Sequence, residues 1–233
     1  MDDSRPFYAG SSTRADARVS AFLSKVYGWM FIGLGITAAV AYFVASSPAL
    51  TGARMANRLV FFALVVVELG LVFFMSARVE SLEPGTAAAL FVGYAALNGV
   101  TLSLILLIYT GASIAMTFVV TGAMFGALAV YGTTTSRSLA GAGQFFFMGL
   151  IGLVLASVVG MFWHSDALQF LITVVGVVVF TGLTAWDAQR LKQMALTLLD
   201  GHAGAYAVVG ALSLYLNFVN LFLMLLRLQG RRE

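Results

Sequence analysis

Two carboxylates lie within or beside long apolar stretches of the sequence, where ionisable side chains are rare and point to function. Glu68 stands nine residues from either end of the run Leu59–Ala77, and Asp187 ends a later run, within the polar segment Thr184–Lys192. Glu68 either locks two helices together by hydrogen bonding or lines a path for an ion or a proton. Asp187 is either an ordinary residue of the membrane interface or part of such a path.

Three polar residues of the last apolar run share one helical face. Ser213, Asn217 and Asn220 are spaced i, i+4 and i+7, which places them on the same side of a helix. Asn217 lies about ten residues into that run, deep enough to face a cavity within the membrane. The shared face either hydrogen-bonds another helix or lines a pathway.

The composition decides which elements carry these residues. The chain has 233 residues, of which 61% are hydrophobic and 10% are charged, whereas a soluble domain is about 25% charged. A water-soluble globule of this size could not bury so much apolar surface, so the lipid bilayer is its expected partner. Runs of about 20 apolar residues predict spanning helices. Seven such runs are Phe22–Ala45, Leu59–Ala77, Thr86–Tyr109, Ser113–Tyr131, Phe145–Trp163, Leu168–Asp187 and Ala207–Leu228.

The runs divide the chain into three parts and indicate its orientation. Residues 1–21 form a polar N-terminal segment, residues 22–228 an all-α domain of seven transmembrane helices, and residues 229–233 a short tail. Eight Lys and Arg residues fall on the side of the N-terminus and five on the opposite side. The positive-inside rule therefore predicts a cytoplasmic N-terminus and an external C-terminus.

Several classes of function are excluded by what the sequence lacks. It has no cysteine and two histidines, His164 and His202, which are too few ligands for a structural zinc, haem or iron–sulfur cofactor. Its lysines, Lys25 and Lys192, stand at helix ends, so neither is placed to form a retinal Schiff base. Asp187 has no aspartate partner in another run for an aspartyl protease, and the thinly spread positive charge does not indicate nucleic-acid binding. We therefore expect neither an enzyme nor a cofactor.

Short motifs along the chain resemble those of one known family. They are Phe22–Met30, Asn98–Tyr109, Thr117-Phe118, Phe147–Gly152, Phe180–Gln189 and Ala211–Phe222. In this order, and over about Phe22–Leu228, the chain resembles the bacterial members of the Bax inhibitor-1, or transmembrane Bax inhibitor motif, family. The resemblance implies a bundle of six helices around a central one and, in a bacterium, a protein of the inner membrane.

The resemblance also implies a function. Characterised members are pH-sensitive calcium leak channels, in which an aspartate on the sixth helix and another on the seventh share a proton near the cytoplasmic mouth. Asp187 matches the first aspartate and is a candidate ligand of permeating Ca²⁺, whereas Asn217 stands where the family often has the second. An Asp–Asn pair lacks the repulsion between two carboxylates. We therefore expect weaker calcium affinity and a pH response that shifts to lower pH or disappears.

Two more positions follow from the resemblance. Glu68 matches a glutamate of the family's second helix, and Arg78 ends that helix on the same side as Asp187. We expect Arg78 to pair with Asp187 and to hold the path closed. The sequence therefore predicts a non-enzymatic, passive cation leak that is lined by Glu68, Asp187 and Asn217 and closed by Arg78.

Two other functions are compatible with the sequence. Some bacterial relatives modulate a membrane-bound ATP-dependent protease, and an interaction protein of this kind would hold its partner through the polar segment 1–21. A proton-coupled transporter needs a substrate site at mid-membrane, and Glu68 and Asn98 stand near the centres of their runs.

Overall fold

The computed structural model describes residues 6–47, 58–163, 165–198 and 203–231. These ranges fold into α-helices joined by short connections. The helices are α1 (Pro6–Ala45), α2 (Arg58–Ala77), α3 (Pro84–Leu102), α4 (Ile105–Ile108), α5 (Gly111–Thr134), α6 (Ala140–Phe162), α7 (Asp166–Thr197) and α8 (Ala203–Gln229). His164, His202, the first five residues of the predicted polar segment and the last two of the predicted tail lie outside the described residues.

The helices match the seven predicted spans. Within the described residues, six helical segments are long and apolar enough to cross a membrane. The seventh span is α2, whose 20 residues extend over about 30 Å, the thickness of a bilayer's hydrocarbon core. The predicted all-α membrane fold is therefore confirmed. The third span is interrupted, because α3 ends at Leu102 and the chain turns at Ser103, whose hydroxyl donates to the carbonyl oxygen of Val100.

Two helices extend ten or more residues beyond one end of their apolar runs. α1 begins at Pro6, so from that residue onward the polar N-terminal segment continues the same helix as the first span. α7 continues to Thr197, ten residues beyond Asp187, where the sequence predicted its end. Asp187 therefore lies inside a helix and not at its tip.

α8 is the central helix of the bundle. Its side chains include Leu214, Tyr215 and Leu221, which are fully buried. It packs against α1, α2, α3, α5 and α7. α6 packs on α7, and its Leu153 joins the same apolar cluster as Leu221. The arrangement of six helices around a central one is therefore present, with α8 inside.

The spans run in alternate directions, which gives the bundle two faces. The N-terminal face carries the start of α1 and the ends of α2, α5 and α7; the C-terminal face carries the ends of α1, α6 and α8. Between these faces, large apolar side chains such as Phe31, Phe73 and Leu155 are exposed on the outside. Because lipid is the solvent at this surface, their exposure requires no further partner.

Two glycines let neighbouring backbones touch α7 beside Asp187. A Cβ atom added to Gly132 of α5 would collide with the carbonyl oxygen of Ala185, and one added to Gly143 of α6 would collide with the Trp186 ring. Small residues at such crossings allow close helix packing in membranes. α7 is therefore held by backbone contact from two sides.

Replacing Gly132 with alanine is expected to destabilise the protein by about 1–3 kcal/mol, because the added methyl group meets rigid backbone. Gly126 of the same helix is the matched control, since a Cβ atom there has no atom within 4 Å. Gly126→Ala should stabilise α5 by up to about 1 kcal/mol. Unfolding of the three proteins by denaturant in mixed micelles measures both changes. Equal midpoints for the two variants would contradict the close approach.

Candidate functional site

Asp187 forms a buried polar site between α7 and α8. Its side chain lies within the bundle, and the residue is 4% exposed. Its Oδ2 atom accepts a hydrogen bond of 2.6 Å from the Ser213 hydroxyl and one of 2.8 Å from the Asn217 side-chain nitrogen. Ser213 and Asn217 are one turn apart on α8, so one helical face supplies both donors. Asn220 does not join them, because its amide donates to the carbonyl oxygen of Leu216 on its own helix.

The second oxygen of Asp187 is in a different situation. Oδ1 is buried and accepts no hydrogen bond from the described residues. The nearest cation is Arg190, whose Nη2 atom lies 3.3 Å from Oδ1, an ion-pair distance without hydrogen-bond alignment. The Arg190 side chain is 43% exposed and its guanidinium lies over the Trp186 ring, 5.0 Å from the centroid. Arg190 therefore balances the charge of Asp187, while Oδ1 accepts no hydrogen bond from the described residues.

The predicted pairing of Arg78 with Asp187 differs from the structure. Arg78 is exposed after the end of α2, and its carbonyl oxygen accepts bonds from the backbone and hydroxyl of Ser81. No ion pair joins Arg78 to Asp187 within the described ranges. Arg190 takes that place because it lies three residues along α7 from Asp187, and residues at this spacing are neighbours on a helix.

Gln189 and Lys192 fasten the connection between α5 and α6 to α7. The Gln189 side chain accepts a bond from the backbone nitrogen of Leu139 (2.7 Å) and donates one to the carbonyl oxygen of Arg137 (2.9 Å). The Lys192 ammonium donates to the carbonyl oxygen of Thr133 (2.7 Å). Sequence reasoning missed this role, although two polar side chains within five residues of Asp187 were a usable signal. These hydrogen bonds of Gln189 and Lys192 hold the end of α5 and the α5–α6 connection against α7, on the N-terminal face beside the Asp187 site.

Glu68 lies in another part of the bundle. It is buried, and its Oε1 atom accepts a 2.6 Å hydrogen bond from the hydroxyl of Thr101 on α3. This contact joins α2 to α3. It fits the helix-locking interpretation of Glu68, and it does not bring Glu68 to Asp187.

A second polar network lies between α1, α3 and α8. The Thr37 hydroxyl donates to the carbonyl oxygen of Ala95 (2.9 Å) and lies 2.6 Å from the Tyr215 hydroxyl. Thr37 has one hydroxyl proton, which it donates to Ala95, so Tyr215 is the donor in the second bond. The Tyr215 ring packs edge-on against Phe91 and Tyr94. This network fastens α8 to α1 and α3.

Asn98 bonds to Tyr94 of this network, but its side-chain oxygen receives no hydrogen bond from the described residues. Its side-chain nitrogen donates to the Tyr94 hydroxyl (3.3 Å), and its Oδ1 atom is buried without a donor from the described residues. Turning the amide over would satisfy Oδ1 through Tyr94 and leave the nitrogen unpaired instead. In either orientation one polar atom is open to a water molecule or an ion.

The two polar sites lie on opposite sides of α8. Ser213 and Asn217 point toward α7, whereas Tyr215 points toward α1 and α3. Successive helix positions differ by about 100°, so Tyr215 is rotated by roughly 160–200° from the other two. Glu68, on the α2–α3 side, and Asp187 are therefore separated by the central helix. A path lined by both carboxylates has to pass around α8.

The Asp187 site offers few ligands to a metal ion. Within the part of the chain that the structure describes, no group of three or more His, Cys, Asp or Glu side chains comes together. Calcium takes about six to eight oxygen ligands when it is held firmly. One carboxylate with a hydroxyl and an amide beside it suits brief contact with a passing ion and not storage.

Comparison with known proteins identifies the family. The family model described as "Inhibitor of apoptosis-promoting Bax1" matches residues 19–233. Inner membrane protein YbhL of Escherichia coli strain K12 is 48% identical over 93% of this chain and 94% of its own length. A Borreliella burgdorferi protein is 45% identical over 91% of this chain and 92% of its own, and a Caulobacter vibrioides protein 40% identical over 99% and 98%. This multi-pass membrane protein therefore belongs to the Bax inhibitor-1 family.

Proposed function

We propose that this protein is a passive cation leak, with Ca²⁺ as its main permeant ion, and that the Asp187 site controls the leak. One observation carries the proposal: Asp187 is buried in a membrane protein, with one carboxylate oxygen bonded twice and the other accepting no hydrogen bond from the described residues. A carboxylate that only joined helices would gain most if both oxygens were satisfied. Oδ1, which pairs with Arg190 but accepts no hydrogen bond from the described residues, is therefore the position that we assign to the permeating ion.

The chemistry of this oxygen suits a hard cation. Ca²⁺ prefers oxygen ligands, carboxylates above all, and the Asp187 carboxylate lies beside the oxygen of the Ser213 hydroxyl. The Asn217 side chain turns its nitrogen to Asp187, so it holds the carboxylate in place and does not offer a ligand there. A site that conducts has to bind weakly enough to release the ion. A single carboxylate meets this requirement, which agrees with a slow leak.

Arg190 keeps the site closed in this proposal. Its guanidinium stands at ion-pair distance from Oδ1 and so occupies the approach of a cation. The same side chain is partly exposed and stacks on Trp186. The guanidinium can therefore stay in contact with the Trp186 ring when a cation displaces it from Asp187. Opening then requires a short movement of one side chain, because Arg190 and Asp187 are on the same helix.

The leak is proposed to lie in the inner membrane, by analogy with the name of the E. coli relative. The N-terminal face is the cytoplasmic one, because it has the larger share of Lys and Arg. Asp187 lies ten residues before the end of α7, which is on that face. The site is therefore closer to the cytoplasmic mouth than to the external one.

The proposed leak has a weaker pH response than a two-carboxylate site. The groups that face Asp187 are Ser213 and Asn217 on α8 and the cationic Arg190 on its own helix. Asp187 is thus the one acidic group of this site within the described residues. Without a second carboxylate to share a proton, the pH step lies below neutrality or is absent.

The test is Ca²⁺ entry into liposomes that contain the purified protein and an internal calcium dye, between about pH 5 and 8. We expect entry above that of protein-free liposomes, driven by the calcium gradient alone. No entry at any pH, with folded protein verified in the same liposomes, would overturn the leak. The function to test next would then be modulation of a membrane-bound ATP-dependent protease through the polar segment 1–21.

A further inference from the structure

A polar cavity opens on the C-terminal face, at the opposite side of the membrane from the Asp187 site. Its volume is about 480 Å³, and it lies between the first two turns of α7 and the last turn of α8. Asp166, Gln169 and Thr173 of α7 line it together with Arg227 of α8 and Tyr109. We call it the α7–α8 cavity. It has room for a group much larger than a water molecule, which occupies about 30 Å³.

Two opposite charges face this cavity without neutralising each other. Asp166 is in the first turn of α7 and Arg227 in the last turn of α8, and no ion pair joins them in the described part of the chain. Each charge is favourable at its own helix end, because of the helix dipole. That explanation covers each residue separately. It does not explain why a cation and an anion line the same cavity.

The rim of the cavity belongs to the lipid-facing surface. Phe170 is 62% exposed and Leu228 is 46% exposed, and both line the cavity. Exposed Trp163 lies just before α7, and tryptophan is enriched where membrane meets water. The α7–α8 cavity is therefore at the depth of lipid headgroups and open to the bilayer.

We propose that the α7–α8 cavity binds a zwitterionic headgroup that carries a phosphate and a primary ammonium, as phosphoethanolamine does. Arg227 binds the phosphate, to which a guanidinium donates two parallel hydrogen bonds. Asp166 accepts hydrogen bonds from the ammonium, which has three N–H donors. Thr173 does not donate to the phosphate, because its hydroxyl proton is already bonded to the carbonyl oxygen of Gln169. This proposal does not depend on the leak.

The test compares lipids that differ in one group at a time. Native mass spectrometry of the full chain in detergent measures binding of phosphatidylethanolamine, phosphatidylglycerol, which lacks the ammonium, and phosphatidylcholine, whose ammonium has no N–H. We expect phosphatidylethanolamine to bind about fivefold tighter than the other two, as a partly exposed charge contact of about 1 kcal/mol implies. Equal binding of all three lipids would overturn the proposal.

Two variants separate the contributions of the charges. Asp166→Asn should lower binding of phosphatidylethanolamine to the level of phosphatidylglycerol, whereas Arg227→Gln should weaken all three lipids. Arg231→Gln is the matched control, because Arg231 is an exposed arginine near the same end of α8 that does not line the cavity. An Asp166→Asn variant that still prefers phosphatidylethanolamine would contradict the assigned ammonium contact. Unfolding temperatures without added lipid verify that each variant is folded.

Glycerophosphoethanolamine, the soluble headgroup, distinguishes the two sources of this chemistry. If it binds as tightly as the lipid and competes with it, the ligand is a soluble zwitterion that enters from the aqueous side. If it binds at least tenfold more weakly, the acyl chains contribute through contacts such as Phe170 and Leu228, and the ligand is a membrane lipid. No binding of either compound would overturn the site.

Discussion

Replacing Arg190 with glutamine is expected to raise Ca²⁺ flux through the protein, and replacing Asp187 with asparagine is expected to reduce it. Arg190→Gln removes the cation that stands 3.3 Å from Asp187 Oδ1 and leaves the carboxylate to the permeating ion. Because the arginine is 43% exposed, solvent screens the pair, and a contribution of about 1 kcal/mol corresponds to about fivefold in rate. Asp187→Asn removes the attracting charge and should reduce flux at least about tenfold.

The liposome assay measures both variants, with Arg137→Gln as the matched control. Arg137 is an exposed arginine on the same face, and in the described part of the chain no ion pair or hydrogen bond joins its side chain to Asp187, so the flux of Arg137→Gln should stay near that of the wild type. Asp187→Asn keeps the shape of the side chain and an oxygen that can accept the Ser213 hydroxyl proton. A loss of flux in a folded Asp187→Asn protein is therefore a loss of charge. Lower flux in Arg190→Gln would contradict the assigned closing role.

Replacing Asn217 with aspartate is expected to create a pH step near neutrality. The new carboxylate would stand where an amide nitrogen now lies 2.8 Å from Asp187 Oδ2. Two carboxylates at this separation share one proton over a range of pH near neutrality. Loss of that proton as pH rises adds negative charge and repulsion between α7 and α8. Flux should therefore increase about tenfold from pH 6 to pH 8, whereas the wild type should change less than about twofold.

The double variant Asp187→Asn with Asn217→Asp is the control for this step. It keeps one carboxylate and one amide but exchanges the helices that carry them. A shared proton is then impossible, so the step between pH 6 and pH 8 should disappear. If the step persists, a group other than the carboxylate pair causes it, and a proton shared between positions 187 and 217 is not its origin.

The sequence predicted the helices well because the bilayer imposes a length. A spanning segment needs about 20 apolar residues, and each of the seven runs meets this requirement. It did not predict the extension of α7 to Thr197, because Arg190 and Lys192 resemble the start of a loop. The signal was present at Ala188, Leu191 and Ala195, which are spaced by three and four residues and are buried. That period marks a helix continuing beyond the membrane with one face still packed.

The sequence predicted which residues of the candidate site share a helix face, but not which other helix that face is turned toward. The spacing of Ser213 and Asn217 correctly placed both side chains on one face of α8. Because the sequence predicted that the sixth run ends at Asp187, it did not point to Arg190, which lies three residues further along the same helix. The sequence also does not show how the helices are rotated about their axes. The same missing rotation put Glu68 and Asp187 on one path, although α8 stands between them. The position of a residue along a helix and the face that it shares follow from counting residues, whereas the rotation of that face toward a neighbouring helix depends on side-chain packing.

Trp186 gives this protein an optical reporter of its own. One part of the indole ring lies against the backbone of α6 at Gly143, and the guanidinium of Arg190 lies over it. Departure of Arg190 from Asp187 removes or shifts a cation beside the ring, so indole emission changes whenever this side chain moves. The other two tryptophans, Trp29 and Trp163, are elsewhere in the bundle and can be replaced by phenylalanine. The remaining fluorescence would then follow the position of a single arginine in real time, without an attached dye.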